Sequence, residues 1–248
     1  MFTKQDLLSH LTNIGVNPTG TLKVHISYKA IGEVDGRGDT VLDALTEYMK
    51  DGLLVLPAHT WAHTRENNPI MDVLHTKSCV GVLTEMFRKR EGVLRSLHPT
   101  HSVAALGKNA AEFVAGEEKI GTPGGEGGTY HKLWQQNAQI LLIGVNFERN
   151  TFIHGIEEWD GAEGSISDKT EDYFVINYAG QRLHTPQNRH CAHLGSGTFC
   201  KLEPQAISEG VLTLGKFGNA TTRLMNAKEL RSMVAPLLKQ NPRYLLGY

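Results

Sequence analysis

Short apolar runs that alternate with amphipathic segments constrain the fold of this chain more than any other feature. The strongest run is ILLIGV at residues 140–145, LLVL at 53–56 is of the same kind, and LKVHIS at 22–27 is a short β-prone run. Their lengths are typical of buried strands. Helical spacing of apolar residues flanks them, most clearly over residues 3–14 and 39–51. Strands and helices that alternate in this way predict an α/β sheet with helices packed on its faces.

The C-terminal third has a different pattern, in which predicted strands follow one another directly. YFVINYAGQRLH predicts a hairpin that turns at Ala179 and Gly180, and VLTLGKFGNATTRLM predicts a second one around Gly218 and Asn219. We therefore predict a single domain over residues 1–248. Its central mixed or parallel sheet is flanked by helices and carries an antiparallel addition toward the C-terminus.

The overall charge and the cysteines exclude several classes of protein. The chain has a formal net charge of -1 and its lysines and arginines form no basic stripe, so we expect no nucleic-acid partner. No apolar run approaches the roughly 20 residues that cross a bilayer, and the N-terminus lacks the apolar core of a signal peptide. Cys79, Cys191 and Cys200 are odd in number and show no CxxC spacing, which argues against a disulfide framework. We therefore expect a cytoplasmic protein without membrane association.

His154 and Glu157 are the residues on which a catalytic interpretation depends. They stand three positions apart on a helix predicted over residues 150–159, so they share one face. A carboxylate beside an imidazole raises the pKa of the ring and fixes its tautomer. Such a ring can take a proton from an attacking amine, and a positioned base contributes on the order of 10²–10⁴-fold to a rate. Ion pairs on solvated helix surfaces have the same spacing, and spacing alone does not separate the two interpretations.

The twelve histidines leave a metal-dependent hydrolase open as an alternative. The sets whose spacing could place them around one ion are His59 with His63, His98 with His101, and His184 with His190 and His193. No HExxH motif is present, and a chain this rich in histidine produces such spacings by chance, so we predict no metal. Cys191 follows His190, but adjacent side chains of an extended segment point in opposite directions, which disfavours a cysteine nucleophile.

Four segments resemble the aminoglycoside 3-N-acetyltransferase family, including its relatives in bacilli. In chain order they are VHISYKAIG (24–32), RSLHPTHSVAALG (95–107), GTPGGEGGTYHKL (121–133) and ILLIGVNFERNTFIHGIEE (140–158). They are similar to H-x-S-x-x-x-x-G, to R-S-x-H-P-x-x-S-x-A-A-x-G, to T-P-F-G-x-x-S-P-Y-x-x-L, and to L-L-x-G-V followed by T-x-x-H-x-x-E. The chain departs from the third pattern at Gly124, where the family has phenylalanine, and at Gly128 and Thr129, where it has Ser-Pro. The resemblance implies a fold unrelated to that of the GNAT acetyltransferases.

The resemblance also implies an activity. The enzyme would move an acetyl group directly from acetyl-CoA to a primary amine of an aminoglycoside, the 3-amino group of its 2-deoxystreptamine ring. His154 would be the base and Glu157 the acid that aligns it. Thr151 would donate a hydrogen bond to the oxyanion or cap the helix, and capping is the more common role for a threonine in that place. A lobe around residues 150–200 would face the substrate, and the protein would be a monomer or a homodimer.

Cofactor and substrate contacts follow from the same resemblance. The residues implied to contact acetyl-CoA are His25, Ser27, Tyr28, Lys29, Gly32, His98, Ser102, Thr122, Gly124, Gly125 and Thr129. Those implied to contact the acceptor are Glu158, Asp160 and His190. Free backbone N–H groups after a strand suit a pyrophosphate, glycines let the backbone approach a pantetheine arm, and carboxylates concentrate a polycation. An ordinary turn, a flexible loop and a solvated acidic turn would have the same sequences.

Other functions stay open from the sequence alone. The same chemistry could act on an amine of another natural product or of a metabolite. A metal-dependent hydrolase is less favoured, for the reason given above. A protein that binds coenzyme A without catalysis would share the cofactor segments but would not need the pair of His154 and Glu157.

Overall fold

The structure is a computed structural model that describes residues 1–191 and 196–246. Its α-helices are, in chain order, α1 (Lys4–Ile14), α2 (Tyr28–Ile31), α3 (Arg37–Tyr48), α4 (Val82–Phe87), α5 (Ala110–Val114), α6 (Thr129–Gln135), α7 (Phe152–Trp159), α8 (Glu203–Ser208) and α9 (Ala227–Gln240). Its strands are β1 (Thr21–Ile26), β2 (Leu53–Pro57), β3 (Ile70–Asp72), β4 (Leu94–Arg95), β5 (Val103–Gly107), β6 (Gln139–Ile143), β7 (Ile166–Glu171), β8 (Phe174–Ile176), β9 (Arg182–His184), β10 (Gln187–His190), β11 (Leu212–Phe217) and β12 (Ala220–Asn226). None of the helices in these two ranges is long and apolar enough to cross a membrane.

Seven strands form the central sheet, in the order β11-β12-β6-β1-β2-β5-β4. The three strands predicted at 22–27, 53–56 and 140–145 are its middle strands, and β1 lies parallel to both β2 and β6. The other pairs are antiparallel, including the β11–β12 hairpin that turns at Gly218 and Asn219. The sheet is therefore mixed, flanked by helices and extended by an antiparallel hairpin near the C-terminus, which confirms the predicted fold class.

The two faces of β1 differ in polarity, and this difference positions the site. Leu22 and Val24 pack with α1 and α3 in one buried apolar cluster. Successive side chains of a strand alternate between faces, so Lys23 and His25 point to the other side of the sheet, which α6 and α7 cover. Both side chains are buried, and the loss of hydration lowers the pKa of each well below its usual value. Polar groups thus lie in the same layer as the helix that carries His154.

Two small sheets lie outside the central one and include most of the segment 166–190. β7 pairs with β10 in one of them. In the other, β3 pairs with β8, and β8 forms the predicted hairpin with β9 around Ala179 and Gly180. This part of the chain brings β10, and with it His190, to the same cavity as α7.

Several helices differ from the sequence prediction. α3 spans Arg37–Tyr48 rather than residues 39–51. α7 begins at Phe152 rather than at residue 150, because a 3₁₀ turn occupies Phe147–Arg149 directly before it. The pattern of the last helix predicts an interruption at Pro236, but α9 continues through it. Val234 and Leu238 are fully buried on either side of the proline, so packing against the core holds the helix together there.

Candidate active site

A cavity of about 840 Å³ lies at the carboxyl ends of β1, β2 and β6. Sheets with parallel strands place their ligands at this edge, and the volume is in the range of small-molecule sites. Its polar and charged lining residues include His25, Ser27, Tyr28, Lys29, His59, His101, Glu148, Arg149, Thr151, His154, Glu157, Ser165, Arg189 and His190. The first cofactor segment and the predicted catalytic pair therefore face one common space.

The predicted catalytic pair is formed on one face of α7. His154 Nδ1 lies 2.7 Å from Glu157 Oε2, and the side chains are 22% and 7% exposed. A carboxylate accepts hydrogen bonds, so this contact favours the tautomer whose Nδ1 carries the hydrogen and whose Nε2 keeps its lone pair. In the part of the chain that the structure describes, Nε2 has no hydrogen-bond partner. The ring is thus aligned at one nitrogen and open at the other.

Burial shifts the protonation of both members of the pair. Loss of hydration lowers the pKa of His154 well below its ordinary value, and the neighbouring His190 lowers it further. Loss of hydration raises the pKa of Glu157 to about 7. An imidazole with a lowered pKa is neutral at pH 7 and can accept a proton there, which is what a general base requires.

His190 lies against the His154 ring. The centroids of the His154 and His190 rings are 4.3 Å apart, with 40° between their planes. The Nδ1 atom of His190 is 3.2 Å from the carbonyl oxygen of Ser165, and its Nε2 atom is 3.1 Å from Oε1 of Glu158. β10 and α7, which are distant in sequence, are joined through this ring.

The side chains of His154, Glu157 and His190 lie close enough together to be considered as ligands of a metal ion. One ligand atom from each of His154, Glu157 and His190 lies within 4.8 Å of the others. The hydrogen bond between His154 and Glu157 already joins two of these groups, and both nitrogens of His190 face oxygen acceptors. An ion would have to displace these contacts, so the donor set does not fit a resident metal.

The other histidine sets of the sequence do not converge on one point. His59 is buried and its Nε2 lies 2.8 Å from the Tyr130 hydroxyl, whereas His63 is exposed. Nδ1 of His98 accepts hydrogen bonds from two backbone amides, at 2.9 Å and 3.2 Å. His184 is exposed and contacts Asp172, and His193 lies outside the described residues.

Within the first cofactor segment, His25, Ser27, Tyr28 and Lys29 line the cavity, and Gly32 does not. Gly32 has a φ of +86°, and a Cβ there would lie 2.5 Å from the side-chain nitrogen of Asn219. Its role is therefore the close approach of this turn to the β11–β12 hairpin.

Two residues of the second segment lie behind the cavity wall. Ser102 is fully buried, where its hydroxyl donates to the Ala58 carbonyl at 2.8 Å and accepts from Arg95 Nε at 3.0 Å. His98 is also fully buried. Neither lines the cavity, and His101, which the motif comparison did not select, lines it instead. These hydrogen bonds fix the loop that presents His101.

The glycine-rich loop is fastened to α7 rather than spread over the cavity. Glu158 Oε2 accepts from the Thr122 hydroxyl at 2.6 Å, and Oε1 accepts from the Gly124 amide at 2.7 Å. A Cβ at Gly124 would lie 2.7 Å from the Cα of Gly155, so the phenylalanine of the family does not fit here. The described lining of the cavity includes neither these residues nor the remaining predicted contacts of the loop, which are Gly125 and Thr129.

Glu158 and Asp160 are engaged in internal contacts, which differs from their predicted role at the acceptor. Asp160 accepts from Arg231 Nε and Nη2 at 2.8 Å and 3.1 Å, and the guanidinium lies 4.4 Å from the ring centroid of Trp134. Glu158 receives the loop and contacts His190. Neither carboxylate lines the cavity. These two acids hold α7 in place against the loop and α9.

Thr151 lines the cavity, but its predicted capping role is wrong. It occupies the cap position of α7 with a helical backbone (φ −57°, ψ −19°), and its side chain makes no capping hydrogen bond. Burial raises the pKa of Tyr130, and the nearby Thr151 side chain opposes that rise. A helical φ and ψ turn the hydroxyl away from the amides that a capping residue reaches.

The fold and the site together indicate a class of protein, namely an α/β enzyme with an imidazole–carboxylate pair at its cavity. A buried carboxylate whose pKa is raised to about 7, aligned with an imidazole at a cavity, is typical of a place where a proton moves. A sequence model described as aminoglycoside 3-N-acetyltransferase matches residues 24–239. The chain belongs to this family, which confirms the resemblance, the acetyltransferase class and acetyl-CoA as the donor.

Three relatives illustrate the sequence similarity. Aminoglycoside N(3)-acetyltransferase VII of Streptomyces paromomycinus is 28% identical, over 92% of this chain and 88% of its own length. Aminoglycoside N(3)-acetyltransferase IV of Salmonella is 23% identical, over 98% and 90%. The SPbeta prophage-derived aminoglycoside N(3')-acetyltransferase-like protein of Bacillus subtilis is 27% identical over 61% of this chain, and the match spans 63% of its own length.

Solved structures share the fold. Aminoglycoside acetyltransferase AAC(3)-Xa superposes with a TM-score of 0.87 at 23% identity, covering 99% of this chain and 94% of that one. The binary complex of AAC-IIIb with CoASH has a TM-score of 0.85 at 21% identity, with coverages of 96% and 97%. A variant of AAC(3)-IVa in complex with apramycin has a TM-score of 0.80 at 20% identity, with coverages of 97% and 93%.

Proposed function

We propose that this protein transfers the acetyl group of acetyl-CoA to a primary amine of an aminoglycoside, the 3-amino group of the 2-deoxystreptamine ring, with His154 as general base. The observation that supports it best is the His154 ring, which is aligned by Glu157 at Nδ1 and unpartnered at Nε2 within the described residues, at a cavity. Family membership supplies the reaction class. The lobe that contains β7 and β10 supplies the opposite wall, and we assign it to the acceptor.

The reaction needs no covalent enzyme intermediate. The acceptor nitrogen attacks the thioester carbon while Nε2 of His154 takes a proton from that nitrogen. The carbon–sulfur bond then breaks, and the imidazolium returns the proton to the leaving thiolate of coenzyme A. Thr151, which lines the cavity next to His154, has a hydroxyl that can donate to the tetrahedral oxyanion.

Cations at the cavity suit the phosphates of the donor. Lys29 and Arg149 line it, and Arg149 also lines an adjoining open cleft of about 490 Å³ together with Arg223 and Asn146. Arg223 is paired with Glu203 at 2.7 Å, whereas Arg149 makes no ion pair within the described residues. We therefore assign Arg149 to the phosphate groups of acetyl-CoA, which it can bind as a forked donor.

The Arg149→Gln variant tests this assignment. We expect KM for acetyl-CoA to rise by about tenfold or more, because a charge-assisted hydrogen bond to phosphate is lost, while kcat at saturation stays nearly unchanged. The matched control is Arg182→Gln, whose guanidinium is exposed and stacks on Phe174 away from the cavity. An unchanged KM in Arg149→Gln would contradict the assignment.

Glu148 is the carboxylate that we assign to the acceptor. Among the described residues, Glu148 and Glu157 are the two acids that line the cavity, and Glu157 is engaged by His154. The Glu148 carboxylate has no partner within the same residues, so it can accept an ammonium group of an aminoglycoside. Glu148 thus takes the role that the sequence comparison gave to Glu158 and Asp160.

For Glu148→Gln we expect KM for the aminoglycoside to rise by about three- to tenfold, since a partly exposed ion pair contributes about 1 kcal/mol. KM for acetyl-CoA and kcat are expected to change little. Steady-state kinetics at low and moderate salt measure both constants, and the effect should shrink as salt rises. The control is Glu163→Gln, an exposed acid outside the cavity; an equal change in both variants would refute a specific contact.

A second acceptor class is favoured by the charges of the cavity. Within the described residues, Lys29, Arg149 and Arg189 line it against Glu148 and Glu157, a balance that does not by itself attract a polycation. An amine of a less cationic natural product or metabolite would fit the same chemistry. A panel of aminoglycosides and simple amines, followed by release of the coenzyme A thiol, separates the two. Turnover confined to weakly charged amines would favour the second class.

We propose a cytoplasmic monomer or homodimer, without nucleic-acid or membrane partners. Cys79, Cys191 and Cys200 are free thiols, as is usual in a reducing compartment.

A further inference from the structure

His190 is held between two oxygen atoms that can only accept. Its Nδ1 faces the Ser165 carbonyl oxygen at 3.2 Å. Its Nε2 is buried and lies 3.1 Å from Glu158 Oε1, an ion-pair contact that is not aligned as a hydrogen bond. The two oxygens of Glu158 already accept from Thr122 and Gly124, so this acid is held as a carboxylate. A lone pair on Nε2 would repel that oxygen, whereas an N–H there is attracted to it. A neutral imidazole can supply a hydrogen to one of the two contacts, and an imidazolium to both.

The ring also has a fixed place relative to the base. The centroid of the His190 ring is 4.3 Å from that of His154. Phe199 packs edge-on against the His154 ring, with 4.9 Å between the two centroids. The side chain of His190 is 13% exposed, so little water screens a charge there. β10 thus delivers a group that touches the base but belongs to neither the donor segment nor the catalytic pair.

We propose that His190 is a positioning residue: held as an imidazolium between Ser165 and Glu158, it fixes the plane of the His154 ring and keeps a resting proton off it. The His154 base is then unprotonated when the acceptor arrives. This proposal rests on the proposed function for its kinetic consequence, whereas the protonation of the two rings can be measured without turnover.

The other charged groups near the base do not take over this role. The titratable groups that face the two rings are Glu157 and Glu158 on α7, His59 after β2, and His98 and His101 before β5. Burial lowers the pKa of His59 and His101 well below the usual value and that of His98 to about 4, so these rings are neutral at pH 7. Glu158 has the opposite effect on His154, whose pKa it raises. The positive charge against His154 therefore comes from His190.

The first experiment is an NMR titration of the imidazole nitrogens in the whole chain, wild type and His190→Gln. In the wild type we expect both nitrogens of His190 to carry hydrogen at pH 7. In His190→Gln we expect His154 to take up its proton at a pH at least about one unit higher, because a unit charge near 4 Å is removed from a poorly hydrated site. The kinetic effect is measured in the Glu157→Gln background, where the carboxylate no longer titrates. There, further replacement of His190 by glutamine should move the acidic limb of kcat/KM up by the same amount, so that activity on that limb falls about tenfold relative to the plateau.

His184→Gln is the matched control. His184 also lies 2.7 Å from an acid, Asp172, but is exposed and outside the cavity, so the titration of His154 should not change. A singly protonated His190 in the wild type at pH 7 overturns the proposal, and this reading needs no variant. An unchanged titration of His154 in a folded His190→Gln protein also overturns the proposal. This holds even if KM for the acceptor rises in that variant, because such a rise alone would indicate a substrate contact rather than an effect on His154. Absence of turnover in the wild type would refute the proposed function and leave the titration result standing.

Discussion

Replacement of His154 by alanine is expected to lower kcat for acetyl transfer by about 10²–10⁴-fold, while the affinity for acetyl-CoA stays within about twofold. The Nε2 lone pair of this ring is the proposed acceptor for the proton of the attacking amine. In the alanine variant the amine nitrogen must lose that proton to water instead. The cations assigned to the donor, Lys29 and Arg149, are on other elements and are not altered. Thiol release under saturating substrates measures kcat, and calorimetry with coenzyme A measures binding.

The residual rate of the His154→Ala variant should rise with pH. A variant without a base depends on the fraction of acceptor that is already unprotonated, and that fraction increases tenfold per pH unit below the pKa of the amine. The control is His184→Ala, which removes an exposed imidazole that also contacts an acid. Full turnover by His154→Ala at pH 7 would show that another group is the base. Loss of coenzyme A binding in parallel with kcat would instead indicate damage to the fold of α7.

The features that could be predicted from the sequence are those that depend on short stretches of chain. β2 and β6 are buried on both faces, so they are continuous apolar runs that need no partner to be recognised. The contact between His154 and Glu157 follows from a three-residue spacing on one helix, which sets their separation wherever that helix lies. Both predictions were confirmed for that reason.

The features that could not be predicted depend on contacts across the fold. Glu158 looks like a free acid beside the base, yet its partners Thr122 and Gly124 are 36 and 34 residues away. Asp160 is paired with Arg231, at a separation of 71 residues. No local pattern marks such an acid as already engaged. For the same reason Glu148, which lines the cavity through the turn before α7, had no distinguishing signal in the sequence.

The glycine-rich loop departs from the family pattern at a position that decides its contacts. Where the family has phenylalanine, the backbone of Gly124 lies against Gly155 and its carbonyl accepts from Trp159 Nε1 at 2.7 Å. The loop can come this close to α7 only without a side chain, and it then supplies two donors to Glu158. A departure of one residue from the motif thus lets the loop fasten α7, whereas the resemblance implies a donor contact for the same segment.

The Glu157→Gln variant is expected to lower kcat by about 10²-fold at pH 8, with the KM of both substrates nearly unchanged. Glutamine keeps the size of the side chain and an oxygen that can accept from Nδ1 of His154. It cannot supply the negative charge that stabilises the imidazolium formed as the amine loses its proton. A charge-assisted hydrogen bond in a poorly hydrated site contributes about 1.5–3 kcal/mol, and each 1.36 kcal/mol in the barrier is a factor of ten in rate. Glu163→Gln is the control for a change of charge at an exposed acid.

The pH profile separates this role from a purely structural one. The pKa of Glu157 is raised to about 7, so as the pH falls through 7 the carboxylate takes up a proton and His154 loses its charged partner. The wild-type kcat should therefore decline below about pH 7. Glutamine does not titrate, and the pKa of His154 itself lies well below its ordinary value, so the decline should move to lower pH in Glu157→Gln although the plateau is lower. If kcat of Glu157→Gln declined with the same midpoint pH as kcat of the wild type, the decline would belong to a group other than Glu157. A plateau rate in Glu157→Gln equal to that of the wild type would show that Glu157 does not act through the imidazole. The reason is that the negative charge and the titration near pH 7 both belong to the carboxylate that aligns Nδ1 of His154.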